Sequence, residues 1–317
     1  MLRRPSQKTR RAARRPKDPT TPSEGLLLVD KPAGVSSHDV VAIARRALHE
    51  KRIGHAGTLD PFATGLLILM LGRATRLMRY VLDEPKVYSA IVKFGAETDT
   101  EDPHGAVVRE AALPSREALE RAALGFVGTI EQIPPAFSAK QIDGERSYDL
   151  ARAGKAVPLA PVSVTIHECT LSAFEGTASA VTQCALHVSC AGGTYVRSIA
   201  RDLARAAGSA AHLTQLRRVS AGGFLAERAF SLASLQSGAV SVETPLAALE
   251  GYPSQSITPE EIVRVGRGMA IETRVDGQYA SLLDDAARAP RRLVAFAERV
   301  KTEAGERWQP RVVMRDA

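Results

Sequence analysis

From about residue 25 onward, apolar and polar positions fall into short runs whose periods separate strands from helices. Leu26-Leu27-Leu28-Val29-Asp30 predicts a buried strand, closed by a Lys31-Pro32-Ala33-Gly34 turn. Ser36-x-x-Asp39 resembles a capping box with Asp in place of Glu or Gln. Beyond it, Val40, Ile43, Ala44, Ala47 and Leu48 recur at helical spacing and predict a helix over about 38–49. A Gly-rich loop, 54–65, leads into the apolar strand Leu66 to Leu71 and then a helix over about 74–82. In the next strand, about 87–94, Tyr88, Ala90, Val92 and Phe94 share one face, with Val87, Ser89, Ile91 and Lys93 on the other.

An acidic turn, Thr98 to Gly105, precedes a helix over about 115–124. Residues 134–162 carry Pro and Gly at both ends around a short helical stretch, Ser147 to Ala153. A connection that long is uncommon unless it is functional or disordered. Strand Cys184 to Cys190 runs through Gly192-Gly193-Thr194 into a helix whose apolar stripe is Val196, Ile199, Ala200, Leu203 and Ala207. A short helix near 231–236 and a loop-like stretch around 238–258 follow. From Ile257, short strands predict a small β-rich unit. There is no internal repeat and no steady β-α-β rhythm, which points to an α+β fold rather than a doubly wound sheet.

Composition narrows the function classes. The chain has 317 residues, 44% hydrophobic and 24% charged, enough for one large and one small folded unit. Its longest apolar run, Leu66 to Leu71, is far short of a membrane span, and no apolar segment follows the basic N-terminus as a secretory signal requires. Cys169, Cys184 and Cys190 are odd in number and lack C-x-x-C spacing, which fits a reducing cytoplasm and argues against a disulfide framework or zinc site. The seven histidines form no metal motif. The net charge of +7 lies entirely in residues 1–23, where eight Lys/Arg face one Asp among four prolines. That segment reads as a disordered basic extension: either an electrostatic arm for RNA or a solvated tail. The body is neutral overall, so a polyanion must meet a local patch.

Gly54 to Gly65 is the stretch richest in chemistry. Three glycines and Pro61 exclude a helix interior, so the segment is a shaped loop presenting Asp60 at a strand end. Taken alone, Asp60-Pro61 reads as a turn opener. Four blocks elsewhere change that reading. They are Asp30 to Gly34 with Ser36-Ser37-His38-Asp39, Gly54 to Gly65, Lys86-Val87-Tyr88, and Gly193-Thr194-Tyr195-Val196-Arg197-Ser198. In this order they resemble the TruB family of tRNA pseudouridine synthases over roughly residues 24–317. Ile133-Pro134-Pro135, Ser138-Ala139-Lys140 and His212 with Leu216-Arg217-Arg218 add to the resemblance. Ala56, Phe62, Ser36 and Ala204 depart from the commoner family residues without changing a reactive group.

The resemblance implies a mixed, largely antiparallel sheet flanked by helices, residues 24–250, with a grip on RNA at 134–162. It also implies a PUA-like RNA-binding domain at 251–317. The implied reaction converts the T-loop uridine at tRNA position 55 to pseudouridine, without cofactor or metal. Asp60 is the implied essential carboxylate, acting covalently or by proton abstraction. Arg197 pairs with it; by pattern alone Arg197, like Arg201 and Arg205, is an exposed helix arginine. Tyr88 stacks on the uracil and takes the proton from C5, although its strand face equally suits a core tyrosine. Tyr195 and Leu216 line the pocket, with packing as the alternative, and Gly57 and Thr58 border the nucleotide. His55 meets the RNA where a base has been extruded. Lys31 and Pro32 brace the loop structurally. Lys140, Arg146 and Arg152 are candidate phosphate contacts. Asp99, Glu101 and Asp102 read as a solvated, turn-capping cluster. The expected partner is the T-arm of tRNA, bound by a monomer with no obligatory protein partner and no membrane. A non-catalytic tRNA-folding chaperone, a catalytic subunit of a guide-RNA-dependent particle and an unrelated Asp-nucleophile hydrolase are the rival readings.

Overall fold

A computed structural model describes residues 24–82, 84–137, 159–285, 291–303 and 305–314, and the backbone of 141–142 and 145–146. The basic extension 1–23, Lys140, Arg152 and the helix expected over 147–153 lie outside the described residues, as does the side chain of Arg146.

The chain opens with β1 (Gly25–Lys31), α1 (Ser37–Ala47), β2 (Ile53–Ala56) and β3 (Thr64–Leu71). β1 and β3 pair antiparallel from Gly25–Leu71 to Lys31–Gly65. Both strands read as continuous apolar runs because both of their faces are covered. Leu27, Val29, Leu67 and Leu69 pack on one face against Val40, Val41 and Ala44 of α1, whereas Leu26, Leu28, Leu66, Ile68 and Met70 pack on the other. The capping box of α1 forms as expected: Asp39 N donates to Ser36 Oγ and Ser36 N to Asp39 Oδ2. A 3-10 helix, Gly72–Tyr80, stands where an α-helix was expected over 74–82.

β4 (Lys86–Phe94), the hairpin β5 (Ala96–Thr98) and β6 (Val107–Glu110), α2 (Arg116–Leu124) and β7 (Gly128–Gln132) follow. After the short β8 (Gln141–Ile142) and β9 (Glu145–Arg146) come β10 (Val162–Thr177), β11 (Ala180–Cys190), α3 (Val196–Ala206) and β12 (Ala211–Ala221). β10 and β12 were not anticipated from the sequence. β10 is interrupted by register shifts at Ile166/Glu168 and Ser172/Glu175, which destroy its alternation, and β12 carries a buried arginine. β13 (Phe224–Leu225), β14 (Phe230–Ser231) and α4 (Leu232–Ser237) complete this part.

The main sheet runs β14-β1-β3-β12-β4-β11-β10-β7, with β2 beside β3 and β13 beside β12. It is mixed and largely antiparallel, an α+β fold. Two joints are parallel, β1–β14 and β3–β12. The β3–β12 joint consists only of Thr64–Arg217 and Gly65–Arg218. Because β1 occupies one whole edge of β3, β2 and β12 share the other, β2 along Ile68–Leu71 and β12 at the start. The 57–63 loop therefore leaves the sheet at a seam between two half-sheets. Across the seam, Tyr88, Ala90, Val92 and Phe94 pack with Val196, Ile199, Ala200 and Leu203 of α3.

A second, five-stranded sheet, in the order β15 (Ser254–Ser256), β17 (Tyr279–Asp284), β18 (Arg292–Thr302), β19 (Gly305–Val313) and β16 (Ile271–Glu272), forms the C-terminal part. Its two hairpin strands β18 and β19, of 11 and 9 residues, are longer than the short strands expected. Trp308 and Val265 centre its own core. Leu283, Leu293, Phe296, Val312 and Met314 instead join the cluster of Leu26, Met70, Tyr80 and Leu249. No helix among the described residues is long and apolar enough to cross a membrane.

Candidate active site

The loop between β2 and β3 is fastened to the start of α1 by backbone-directed contacts. Ser37, buried, donates to Leu59 O (3.0 Å) and accepts from Leu59 N (2.9 Å). Gly34 N donates to Pro61 O (2.9 Å). Lys31 is fully buried, and its ammonium donates to Pro32 O (2.9 Å), Val35 O (2.8 Å) and Pro61 O (3.2 Å). Burial lowers its pKa to about 8, a shift that the nearby Asp60 and Asp39 carboxylates oppose. Pro32 supplies one of these carbonyls at the end of β1.

This bracing presents Asp60 toward α3. Arg197, only 3% exposed and in the first turn of that helix, meets the carboxylate side-on: Nε to Oδ2 at 2.8 Å and Nη2 to Oδ1 at 3.0 Å. This two-point geometry fixes the plane of the carboxylate as well as its position. Arg197 also donates to Thr100 O (2.9 Å) and Phe137 O (3.0 Å). The exposed-helix alternative for Arg197 is thereby excluded. Asp60 retains one-third of its side-chain exposure, so it is held yet accessible.

A cavity of about 270 Å³ opens in front of this pair, lined by Gly57, Thr58, Asp60, Tyr88, Tyr195, Arg197 and Leu216 together with Lys86 and Arg218. A cavity of about 310 Å³ beside Leu246, Leu293 and Met314 shares no lining residue with it. Among the described residues, no group of three or more His, Cys, Asp or Glu is placed to hold a metal. The geometry is that of a single positioned carboxylate beside an aromatic ring in a pocket sized for a small planar group, not the carboxylate pair of ordinary glycosidases.

Residues 45–196 match the TruB family pseudouridylate synthase N-terminal domain. The chain is 41% identical over 267 residues to tRNA pseudouridine synthase B of Gloeobacter violaceus, covering 82% of this chain and 90% of that protein. To the protein of the same name from Thermobifida fusca it is 37% identical over 290 residues, covering 87% and 99%. The chain belongs to the TruB family. Its fold resembles that of a chain in a Cbf5-Nop10-Gar1 complex, with a TM-score of 0.66 at 21% identity over 93% of this chain and 86% of the other.

In this TruB-family chain, seven of the residues expected at the site come together around one cavity: Asp60, Tyr88, Arg197, Tyr195, Leu216, Gly57 and Thr58. His55 does not line it. It lies on β2 opposite Leu69, with Nδ1 buried and without a hydrogen-bond partner. Burial, with the Arg218 and His38 charges, lowers its pKa below the usual histidine value.

Two acidic-turn residues, Asp99 and Asp102, cap as expected, accepting from Ala106 N and His104 N. Glu101 does not: it is buried and paired with Arg201, itself buried, while Arg205 pairs with Glu97. The readings of a solvated Glu101 and of an exposed Arg201 are corrected accordingly, whereas Arg205 is exposed as expected, with its guanidinium on Glu97. A turn sequence conceals which of its acids faces inward.

Arg218 has no role in the sequence reading. It is 1% exposed, donates Nε to Leu66 O (2.7 Å) and Nη2 to Gly57 O (3.0 Å), and lines the same cavity as Tyr88. Among the described residues, the acceptors of these hydrogen bonds are backbone carbonyls rather than carboxylates. Burial raises the Tyr88 pKa and this guanidinium partly offsets the rise. Gln132, almost wholly buried, brackets Tyr195: its Oε1 accepts from Tyr195 N (2.8 Å) and its Nε2 donates to Tyr195 O (3.1 Å). Neither Arg218 nor Gln132 lies in an element that the sequence predicts, so no local signal marked them.

Proposed function

We propose that this chain is a tRNA pseudouridine synthase that isomerises the T-loop uridine at tRNA position 55. The observation that carries the reading is the two-point Asp60–Arg197 pair at the mouth of the cavity that also holds Tyr88. In the reaction the N1–C1′ bond breaks, the uracil turns while retained, and C5 bonds to C1′. C5 then loses its proton and N1 gains one, so nothing is oxidised or reduced and no cofactor is consumed. Asp60 supplies the carboxylate at the ribose and base, and Arg197 orients it. Tyr88 and Leu216 enclose the uracil, with Tyr88 positioned to take the C5 proton. Arg218 supplies positive charge next to the ring while N1 holds the electron pair of the broken bond, a use of preorganised charge in a water-poor site.

Extruding a stacked uridine costs on the order of a few kcal/mol, and a neutral His55 at the vacated position offsets part of it. Residues 134–162, with Lys140, grip the T-arm, residues 251–317 form a PUA-like RNA-binding domain beside the 24–250 catalytic unit, and the basic 1–23 segment gathers RNA electrostatically. The protein acts as a cytoplasmic monomer without an obligatory protein partner. The test is release of tritium from C5-labelled uridine at position 55 of a bare T-arm transcript incubated with the purified chain. Wild type should convert position 55 and Asp60→Asn should not. An active Asp60→Asn variant, or an inactive wild type, would overturn the reading.

A further inference from the structure

The Arg197 guanidinium is fixed by more than Asp60. The two carbonyls it donates to, Thr100 O and Phe137 O, belong to separate segments, the acidic turn and the irregular stretch after β7. Neither segment is anchored by Arg197 alone. One helical turn further along α3, Arg201 reaches both of them. It forms a buried ion pair with Glu101, the residue after Thr100, and donates Nη2 to Ile133 O (2.9 Å), four residues before Phe137. Asp202 holds this guanidinium from the other side, at 2.7 and 3.0 Å. Glu101 is fastened further by Ser198 Oγ, donating to Oε2 at 3.2 Å, and by Leu213 N, donating to Glu101 O at 3.2 Å. Its backbone sits at φ +59°, a conformation that a non-glycine residue keeps only when its surroundings enforce it.

Glu101 and Arg201 are 6% and 8% exposed and neither lines the cavity. A buried ion pair is by itself weak evidence for stability, because apolar replacements of both partners are often neutral or stabilising. The arrangement has a different consequence: it sets the positions of the two carbonyls that aim Arg197. We propose that Glu101 and Arg201 are positioning residues for the Asp60–Arg197 pair, acting through Thr100 O and Phe137 O. This rests on the pseudouridine synthase reading above.

The experiment compares wild type, Glu101→Gln, Arg201→Lys and the double variant Glu101→Leu/Arg201→Leu in single-turnover conversion of a T-arm transcript, with binding of the same RNA and thermal unfolding measured in parallel. Misaiming a catalytic pair by about 1 Å costs on the order of 100-fold in rate. Glu101→Gln and the double variant are therefore expected to lose about 10- to 100-fold in rate, with RNA affinity within about twofold of wild type. Arg201→Lys, which keeps the charge but not the fork, should fall between them and wild type. In an Arg197→Lys background the Arg201→Lys effect should largely vanish, because both act on one geometry. Folded variants with wild-type rates would overturn the proposal, as would full additivity with Arg197→Lys. Global unfolding of the near-isosteric Glu101→Gln would assign the pair to stability instead. Failure of the parent reading looks different: wild type itself would then make no pseudouridine.

Discussion

Alanine at Gly65 and at Gly57 probes the two ways in which Arg218 is built into the seam. Both glycines have φ in the left-handed region, +99° and +81°, so each alanine costs about 1–2 kcal/mol in backbone strain. What the added methyl meets differs. At Gly57 its nearest neighbours are Arg218 Nη1 at 3.2 Å and Lys86 Cε at 3.7 Å, ends of flexible side chains. At Gly65 it would stand 2.2 Å from Arg218 O and 2.9 Å from Arg218 N, which are backbone. Restoring ordinary contact requires β3 and β12 to part by on the order of 1 Å, and Thr64–Arg217 with Gly65–Arg218 is their whole joint. Weakening two backbone hydrogen bonds adds about 1–3 kcal/mol. Gly65→Ala should therefore lose about 2–5 kcal/mol and Gly57→Ala about 1–2. For a chain of this size the first corresponds to a melting temperature lower by roughly 5–15 °C. Activity should rank the other way at a temperature where both are folded, since only Gly57→Ala pushes the guanidinium directly. Melting by circular dichroism and release of label from C5-tritiated uridine read the two quantities. A Gly65→Ala variant that melts no lower than Gly57→Ala would refute the seam argument, and wild-type turnover in Gly57→Ala would remove significance from the guanidinium position.

Other outcomes follow from burial and charge. The Lys31 pKa is lowered from 10.5 to about 8, so between those values the unfolded chain holds more protons and this group's contribution to stability rises with pH. Urea titrations should show wild type gaining on Lys31→Met by up to about 3 kcal/mol from pH 8 toward pH 10.5; a constant difference would contradict the shift. Burial pushes the Cys169, Cys184 and Cys190 thiols up to about 11, 12 and 11, so a thiol reagent at pH 8 should label none in the native protein and all three after denaturation. Removing the cation beside Tyr88 with Arg218→Met should move that phenol's titration upward, read as the alkaline absorbance difference against the same variant carrying Tyr88→Phe. No movement would place Arg218 out of contact with the ring.

Local signals were legible in the sequence and long-range ones were not. The capping box of α1, the strand face shared by Tyr88 and Phe94, and the α3 stripe depend on residues a few positions apart, and the structure reproduces them. β10 escaped notice because its bulges break the alternation, and β12 because Arg217 and Arg218 look unsuited to a central strand. Arg218 is tolerated there because carbonyls at Leu66 and Gly57, more than 150 residues away, accept hydrogen bonds from its guanidinium. Glu101 was misread for the same reason. Its partner lies 100 residues on in α3, and the turn sequence around it differs little from one whose acids all face water. Asp60 was found through motif order rather than pattern, since an Asp-Pro in a Gly-rich loop carries no periodic signal.

The apolar cluster that Leu283, Leu293, Phe296, Val312 and Met314 share with Leu26, Met70 and Tyr80 is tied further by Arg73 and Arg76, which donate to Met314 O (2.8 Å) and Val313 O (3.4 Å). A chain cut after residue 250 would thus lose one wall of the core that supports β1 and β3. Such a truncation is a cavity mutation as much as a deletion of RNA-binding surface, and its phenotype mixes the two. Point changes on the outer faces of β18 and β19 leave that wall standing and are the cleaner way to ask what the C-terminal sheet contributes to RNA recognition.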